Sequence, residues 1–558
     1  MSVGFTIKVL STMIELFIPY ILSHILKSVV TRESVPMILL WSAIMISCAA
    51  LACVGNITAN RMAAKVSSSF AGEVRMDLFR KTLSLSASEV DRFTIPSLES
   101  RITTDTYNVH SFVSMMQRMG VRAPILLLGG ITITLIMDTL LALVMIAILP
   151  FIFITVFFIS RKGIPLYRKV QTSVDGMVRV VREDAQGIRV IKALSKNEYE
   201  NRRYDKVNKG LSRDERRASV MMGAVNPIMT LLMNAGIIGV IWLSAHLVST
   251  GRSAPETIVA FMQYFTLISM AMMSVSRIFV MYTKCAASAR RIAEVLDEKS
   301  DMKIEEHPFS EIGENEYISF ENVNFSYHKA TNNIENVTFS LGKGKRLGII
   351  GATGSGKSTL IKLLMRFYDV DGGAIRIGGR DIRSYEKGEL SSLFGVALQN
   401  DFLYSESVLE NIKFGRDITD ADVIRAAKIA QAHDFITAFP DGYGHILTQK
   451  GTNISGGQKQ RILIARAIAA HPDILILDDS SSALDYKTDA ALRSALALET
   501  DMTVITVAQR VSSVKSCDLI IVIDEGKISA MGTHDELLLS SIEYKEIADS
   551  QMGGAFVE

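Results

Sequence analysis

The sequence predicts two unlike halves: an all-α transmembrane domain of six helices, followed by a soluble α/β domain. The chain has 558 residues, and 48% of them are hydrophobic, which is more than an ordinary soluble protein carries on average. Of its 60 Lys and Arg, 34 lie in the first 300 residues against 21 Asp and Glu, whereas the remainder has 26 against 37. The long apolar stretches lie in the basic half, so the positive charge accompanies membrane helices and a nucleic-acid binder is not expected.

Six stretches of the first half are long and apolar enough to cross a hydrocarbon core as helices, which takes about 20 residues. They are Val9–Leu26, Val35–Ile57, Phe112–Met137, Thr139–Ser160, Ala218–Val248 and Thr257–Ser276. The long connections 58–111 and 161–217 are rich in Lys and Arg, which favours the cytosolic side. We therefore expect a multi-pass protein of the cell membrane whose termini and soluble half face the cytosol.

The two long connections contain many helix formers and few breakers, which predicts helical extensions of the membrane helices, each folded back at a short crosspiece. We expect the crosspieces at Ile95–Asp105 and Glu183–Ala193; solvated charged helices are the alternative. The expected boundaries are 1–295 for the membrane domain, 296–316 for a linker and 317–558 for the soluble domain.

In the soluble half, β-rich runs such as Tyr317–Phe325 and Arg346–Ile350 alternate with helical ones, which predicts a largely parallel sheet. A glycine-rich loop joins the second run to a helical pattern at Leu360–Phe367, the context of a phosphate-binding loop. Its backbone N–H groups would face phosphate oxygens at a helix N-terminus, Lys357 would reach the β- and γ-phosphates, and Ser358 would ligate Mg²⁺. The candidate phosphate-binding residues are Gly351, Thr353, Gly354, Ser355, Gly356, Lys357, Ser358 and Thr359.

Three further elements fit an α/β P-loop nucleotide-binding domain. Asp478 ends the apolar strand Ile474–Asp478 and suits the Mg²⁺ shell. Gln399 follows the run Phe394–Leu398 and is placed to contact a metal-bound water and a neighbouring domain. A second anion site is expected where an apolar helix follows Ser455, Gly456, Gly457 and Gln458.

At these residues the chain resembles the ATP-binding-cassette family, with Walker A at 351–358, the Q-loop at Gln399, the signature at 454–458, Walker B at 474–478 and the D-loop at Ser482–Asp485. The six-span half resembles the exporter-type membrane domain, and its crosspieces resemble coupling helices. The resemblance implies ATP and Mg²⁺ as cofactors and Tyr327 as the residue that stacks on adenine. It also implies that each nucleotide site forms between one cassette's Walker A and another's signature, so that this chain is a half-transporter that must pair.

Two positions depart from the family pattern. Asp479 stands where the family usually has a Glu that polarises the attacking water, and Gln509 replaces the His of the switch segment 503–510. The Asp side chain is one methylene shorter than that of Glu, and the Gln amide, unlike a His ring, can neither gain nor lose a proton or carry a charge. This pattern resembles the degenerate subunit of heterodimeric bacterial exporters and implies a weakly hydrolysing site; two neutral substitutions are the alternative.

The sequence leaves the cargo open. The chain has 26 Met, clustered at 221–233 and 262–281, which suits either a pocket for varied apolar ligands or a helix core. Glu15 is the one acid inside a span and is a candidate for binding cationic cargo. An exporter of amphipathic, drug-like compounds, an exporter of lipids or peptides, and a non-hydrolytic regulatory subunit remain alternatives, as does a homodimer.

Overall fold

The computed structural model of the chain describes residues 2–29, 35–249, 255–299, 301–309, 313, 316–327, 329, 332–399, 401–480 and 483–552. It divides into two compact units, Met1–Ser84 with Thr94–Glu298, and Leu85–Phe93 with Lys299–Glu558. The short segment Leu85–Phe93 therefore belongs with the second half of the chain. The boundaries expected at 295 and 317 stay a prediction.

Most described residues of the first half are helical, and π-helical turns lie at Ile25–Val29, Arg101–Asp105 and Met116–Gly120. Its helices are α1 (Ser2–His24), α2 (Val35–Ser84), α3 (Ala87–Phe93), α4 (Ile95–Ser100), α5 (Thr106–Met115), α6 (Val121–Met137), α7 (Thr139–Gln186), α8 (Ile188–Ala193), α9 (Asn197–Gly223), α10 (Val225–Ser249) and α11 (Pro255–Leu296).

Six helical stretches among the described residues are long and apolar enough to cross a membrane, and each overlaps one of the six predicted spans. Several continue far beyond the span. With its 50 residues, α2 extends over about 75 Å, since an α-helix rises about 1.5 Å per residue. The described chain thus has the six-helix domain that the sequence predicts, with helical extensions beyond the apolar segments.

The first helix break lies earlier than the crosspiece expected at Ile95–Asp105. The chain turns at Leu85 and Ser86, forms α3, and turns again at Thr94, whose φ is +64°. Ser86 and Glu89 form a reciprocal cap at the start of α3, in which each side chain accepts a hydrogen bond from the other residue's backbone N–H. The second break, at Gly187, precedes α8 and lies within the expected Glu183–Ala193.

The soluble half contains ten strands among its described residues. They are β1 (Ile318–Phe325), β2 (Ile334–Leu341), β3 (Arg346–Ile350), β4 (Gly372–Ile377), β5 (Arg380–Asp381), β6 (Phe394–Ala397), β7 (Ile474–Asp478), β8 (Thr503–Val507), β9 (Leu519–Asp524) and β10 (Lys527–Gly532). The helices are α12 (Lys357–Leu364), α13 (Lys387–Ser392), α14 (Val408–Lys413), α15 (Asp420–Ile429), α16 (His433–Thr437), α17 (Gly456–Ile468), α18 (Tyr486–Leu496), α19 (Val511–Val514), α20 (His534–Ser540) and α21 (Ile542–Met552).

The strands form two sheets. The larger has the order β10-β9-β3-β8-β7-β6, in which every pair except β10–β9 is parallel, and this confirms the predicted parallel core. The smaller, antiparallel sheet has the order β2-β1-β4-β5. Ile474 and Ile476 of β7 pack into one apolar cluster and Leu475 and Leu477 into another, because side chains alternate along a strand. Both faces of this strand are therefore buried, and the carboxyl ends of the parallel strands bear the functional loops.

Candidate functional site

The glycine-rich loop connects the end of β3 to the start of α12. Gly354 and Gly356 have φ values of +86° and +109°, in the left-handed region that favours glycine. Gly356 is the N-cap residue of α12, and no side chain caps this helix end. A Cβ atom on Gly356 would lie 2.9 Å from Cδ1 of Ile334. The loop thus presents a helix N-terminus that its own side chains do not cap, which suits an anion.

Lys357 is buried beneath this loop. Its Nζ donates to the carbonyl oxygens of Gly351 at 2.9 Å and Ala352 at 2.6 Å. Burial lowers the pKa of the Lys357 amine, and the carboxylates of Asp478 and Asp479 partly oppose this shift. A buried ammonium whose hydrogen bonds go to neutral carbonyls would bind a phosphate oxygen more strongly, since hydrogen bonds between charged groups are the stronger kind.

The carboxylates at the end of β7 lie beside the loop. Asp478 accepts a hydrogen bond from Oγ of Ser358 at 3.3 Å, and burial raises the pKa of the Asp478 carboxyl. Asp479 follows with φ +50°, and its Oδ2 accepts from Nε2 of Gln399 and Nε2 of Gln509, each at 3.2 Å. Burial also raises the pKa of Asp479, against the opposing hydrogen bond from Gln399. Five positions singled out in the sequence thus lie together beside the loop: Ser358, Gln399, Asp478, Asp479 and Gln509.

A cavity of about 190 Å³ joins these groups. Its lining residues are Asn333, Thr353, Gly354, Gly356, Lys357, Ser358, Thr359, Gln399, Asp478, Asp479, Val507, Ala508 and Gln509. Ser355 lies in the same loop, and among the described residues its buried Oγ has no hydrogen-bond partner. An unpartnered hydroxyl, a buried ammonium and an uncapped helix end in one place fit a bound phosphate chain.

Tyr327 lies outside this cavity but is linked to it. Its hydroxyl donates to Oγ1 of Thr359 at 3.4 Å, and its ring packs edge-on against Phe325 and Tyr368, with centroids 4.8 and 5.1 Å apart. It lines a second cavity, of about 510 Å³, with Tyr368 and Asp91 of α3. The hydroxyl of Tyr368 donates to Oδ2 of Asp91 at 2.6 Å, so α3 is held in this unit by a polar contact.

The signature residues do not line the 190 Å³ cavity. Ser455 is the exposed N-cap of α17: its Oγ accepts from the N–H of Gln458 at 3.3 Å, while Oε1 of Gln458 accepts from the N–H of Ser455 at 2.9 Å. Gly456 and Gly457 form the first turn of this helix. Of the expected D-loop 482–485, Ser482 lies outside the described residues. A single chain therefore carries its phosphate loop and its signature at separate places.

Two site residues escape sequence reasoning. Asn333 lines the cavity, and its Oδ1 accepts from the N–H of Tyr327 at 3.0 Å. Gln551 of α21 accepts a hydrogen bond from the N–H of Val511 and donates one to the carbonyl oxygen of Gln509, both at 2.8 Å. These two bonds fix the backbone at the end of the switch segment. No local motif marks Gln551, because its partners are about 40 residues away. The Ser86/Glu89 cap, by contrast, is readable as Ser-x-x-Glu.

The structure shows the surroundings of Glu15 and of several methionines in the membrane half. Glu15 forms an ion pair with Arg122, in which Nε and Nη2 lie 3.2 and 2.5 Å from the two carboxylate oxygens. The carboxylate is therefore neutralised inside the protein. Met229 is buried and Met233 packs against a buried core, whereas Met281 lines a cavity. The structure thus places Met229 and Met233 in a helix core and Met281 beside a cavity, and a pocket for varied apolar ligands stays a prediction.

Comparison with known proteins identifies both halves. Residues 1–272 match the family model of the ABC transporter transmembrane region, and residues 334–482 match that of the ABC transporter cassette. The ABC transporter ATP-binding protein YfiB of Bacillus subtilis is 33% identical over 97% of this chain and 94% of its own length. The ATP-dependent lipid A-core flippase of Photobacterium profundum is 29% identical over 86% of this chain and 82% of its own.

The fold agrees with these matches. A bacterial Atm1-family ABC exporter, solved with ATP bound, superposes with a TM-score of 0.83 over 100% of this chain and 98% of its own, at 22% identity. The chain therefore belongs to the ABC transporter family as a half-transporter, an ATP-driven membrane protein with one six-helix membrane region and one nucleotide-binding cassette in the cytosol.

Proposed function

We propose that this chain is one half of a heterodimeric exporter that moves amphipathic or hydrophobic, drug-like compounds across the cell membrane, and that its own phosphate site hydrolyses ATP weakly. The observation that carries the proposal is the cluster around Asp479, where a short carboxylate is held by the amides of Gln399 and Gln509.

Residues that line or adjoin the cavity would hold the nucleotide. The loop amides, Lys357 and the Ser355 hydroxyl would bind the phosphates, and Tyr327 would stack on the base. Ser358, Gln399 and Asp478 would hold Mg²⁺, directly or through water. When bound, Mg²⁺ would neutralise negative charge on the phosphates during phosphoryl transfer. Thr353 and Thr359 complete the lining of this site.

Weak hydrolysis follows from the chemistry of two side chains. The carboxylate of Asp479 ends one methylene short of a Glu at the same position, and general-base geometry tolerates little displacement, with losses of about 10²-fold per ångström. Gln509 can donate a hydrogen bond but cannot carry a charge or exchange a proton as a His can. Binding and hydrolysis are thus separated: the groups that hold phosphate are present, and the groups that activate water are weakened.

A partner completes the proposal. Ser455, Gly456, Gly457 and Gln458 are exposed or half-buried at the start of α17 and do not line their own chain's cavity. They are free to face the phosphate loop of a second half-transporter, whose signature would face Lys357 in return. Competent hydrolysis would then occur at the site made by the partner's phosphate loop and this chain's signature.

For the cargo, six apolar helices and the likeness to a lipid A-core flippase support an amphipathic molecule. The experiment is to purify the chain alone and together with a second half-transporter that has Glu after its Walker B Asp. Mg²⁺-dependent ATPase rates are compared with those of the Lys357→Ala variant of this chain. Slow turnover alone and rapid turnover in the pair support the proposal, whereas rapid, Lys357-dependent turnover by the chain alone overturns it in favour of a homodimer.

A gain-of-function variant tests the geometry directly. Asp479→Glu combined with Gln509→His should raise ATP turnover at least about tenfold, because it restores reach and proton exchange. Asp473→Glu, on an exposed side chain that lies 4.0 Å from Lys343, is the matched control and should change nothing. Unchanged turnover in the double variant would contradict the role given to Asp479. A pair that hydrolyses ATP without moving cargo would instead favour a regulatory subunit.

A further inference from the structure

The last helix of the cassette packs behind the switch segment. Tyr544, Ala548 and Gln551 of α21 lie on one face of the helix, because they are separated by four and three positions. Tyr544 and Ala548 are buried in an apolar cluster that also contains Ala508 of the switch segment and Val511 of α19. Gln551 continues this face at the edge of the cluster, so the packing of a helix sets its position.

The amide of Gln551 joins two backbone groups on either side of Arg510. It accepts from the N–H of Val511 and donates to the carbonyl oxygen of Gln509. Arg510 is the N-cap residue of α19, and its side chain does not cap the helix. Because the N–H groups of a first helical turn have no partner within their own helix, α21 supplies the acceptor that α19 lacks.

These two bonds fix the backbone from which the Gln509 side chain reaches the 190 Å³ cavity. Nε2 of Gln509 donates to Oδ2 of Asp479 at 3.2 Å, and both residues line this cavity together with Lys357. On the other side, the N–H of Ala508 donates to the carbonyl oxygen of Ile349 at 3.1 Å. The backbone around Gln509 is therefore held both at β3 and at α21.

The Gln509 amide has a donor to offer to a ligand. Its NH₂ group carries two N–H bonds, and the bond to Asp479 uses one of them. Asp479 stands where the family places the residue that polarises the water attacking the γ-phosphate. An amide bonded to Asp479 therefore lies beside the place where the γ-phosphate would be, and its second N–H suits a phosphate oxygen.

The placement of α21 does not depend on Gln551. The side chain of Gln551 is exposed, whereas Tyr544 is fully buried, and a hydrogen bond of 2.8 Å joins its hydroxyl to Nδ1 of His534. Replacement of Gln551 should therefore leave the helix in place and remove only its two bonds to the backbone around Arg510.

We propose that Gln551 is a positioning residue for recognition of the γ-phosphate: it acts through Gln509, whose amide distinguishes ATP from ADP. This role rests on the nucleotide site of the proposed function. A side chain that is already oriented before the ligand arrives loses less conformational entropy on binding, so the γ-phosphate is bound more tightly. The last helix of the cassette thereby contributes to the binding of a nucleotide that it does not touch.

The test measures nucleotide preference without turnover. Purified full-length chain in a non-ionic detergent with Mg²⁺ is loaded with a fluorescent ADP, which is displaced by ADP or by the non-hydrolysable ATP analogue AMP-PNP. We expect the wild-type chain to prefer AMP-PNP and Gln551→Ala to lower this preference about threefold or more, as for the loss of one hydrogen bond. The affinity for ADP should stay within about twofold, because the phosphate loop is unchanged.

A double-mutant cycle shows whether Gln551 acts through Gln509. Gln509→Ala should lower the preference by itself, and Gln551→Ala should add nothing to it, because the side chain being positioned is gone. A merely structural role would persist in the Gln509→Ala background, where the backbone oxygen of residue 509 remains. Glu546→Ala, at an exposed position of α21, is the matched control and should keep the full preference.

Hydrogen exchange without nucleotide separates the two bonds. In Gln551→Ala the Val511 N–H should exchange about fivefold faster, because its acceptor is lost. Gln551→Glu keeps an acceptor for this N–H but has no donor for the oxygen of Gln509. It should therefore protect the Val511 N–H as the wild type does and still lower the preference for AMP-PNP.

Four results would overturn the proposal: full preference in Gln551→Ala or Gln551→Glu, an equal loss of affinity for ADP and AMP-PNP, additive effects in the double variant, or full preference in Gln509→Ala. Failure of the proposed function has a different signature. Rapid ATP turnover by the chain alone would remove the weakly hydrolysing site and leave the role of Gln551 intact, since that role is measured by binding. Slow turnover with additive effects in the cycle would do the opposite.

Discussion

The cassette contains two glycine-rich helix N-termini that the sequence marks as anion sites, and they are built in opposite ways. At α12 the N-cap is Gly356, no side chain caps the helix, and the nearby Ser355 hydroxyl is buried without a partner among the described residues. At α17 the N-cap Ser455 and Gln458 satisfy each other. Backbone N–H groups at the start of α12 lack side-chain acceptors, which costs free energy unless a ligand binds there. At the start of α17 the cap supplies these acceptors. The difference teaches that similar sequence signals can leave a helix N-terminus open in one place and capped by its own side chains in another.

The largest expected effect comes from adding a methyl group at each end. Gly356→Ala should weaken ATP binding about 10- to 100-fold, since a left-handed backbone strains any residue with a Cβ by about 1–3 kcal/mol. Its Cβ would also crowd Ile334 at 2.9 Å. The matched change Gly456→Ala meets nothing within 4 Å and should leave ATP affinity unchanged. Titration with a fluorescent ATP analogue measures the affinity of both variants. Equal affinities would contradict the difference inferred between the two helix N-termini.

A smaller effect separates the two serines. Ser455→Ala should destabilise the first turn of α17 by about 1 kcal/mol, because an N-cap is lost. Hydrogen exchange at residues 456–460 should then become about fivefold faster without nucleotide. Ser355→Ala should leave nucleotide-free exchange unchanged and weaken ATP binding instead. Faster exchange in the loop of the Ser355 variant would show that this hydroxyl already has a structural partner.

The smallest expected effect is a pH dependence. Burial raises the pKa of Asp478 above its usual 3.8, so the folded, nucleotide-free protein holds this proton more tightly than the unfolded chain does. The associated stability is fully present below pH 3.8 and is lost as the pH rises through the folded pKa. Asp478→Asn should therefore raise the unfolding temperature of the nucleotide-free protein at pH 7, with a smaller gain at pH 5.

Asp485 supplies the control with the opposite sign. It caps α18 and accepts from the N–H of Thr488 at 2.7 Å, and this hydrogen bond lowers the pKa of the Asp485 carboxyl. Its contribution is present above the unfolded pKa and lost as the pH falls through the folded one. Asp485→Asn should therefore lower the unfolding temperature slightly or leave it unchanged at pH 7. Stabilisation by both variants would indicate a general charge effect rather than burial of Asp478.

The sequence could predict what depends on local patterns. The six apolar stretches, the parallel sheet and the phosphate loop are encoded by period and spacing, and each appears in the structure. It could not predict contacts between distant residues. The Glu15–Arg122 pair and the hydrogen bonds of Gln551 to Val511 and Gln509 each join residues far apart in the chain, and no local period marks such contacts. The prediction of the first crosspiece was wrong, since the helix breaks at Leu85 and Ser86, where the Ser86/Glu89 cap begins α3.

The membership of α3 in the cassette unit has a consequence for how the protein is made. Its partner Tyr368 emerges from the ribosome 277 residues after Asp91, a delay of tens of seconds at about 5–20 residues per second. During that interval α3 has been synthesised, but the part of the cassette that it contacts has not. This segment, made near the start of translation, therefore waits for the cassette to complete its folding unit, and a cassette expressed from residue 299 onward would lack part of that unit.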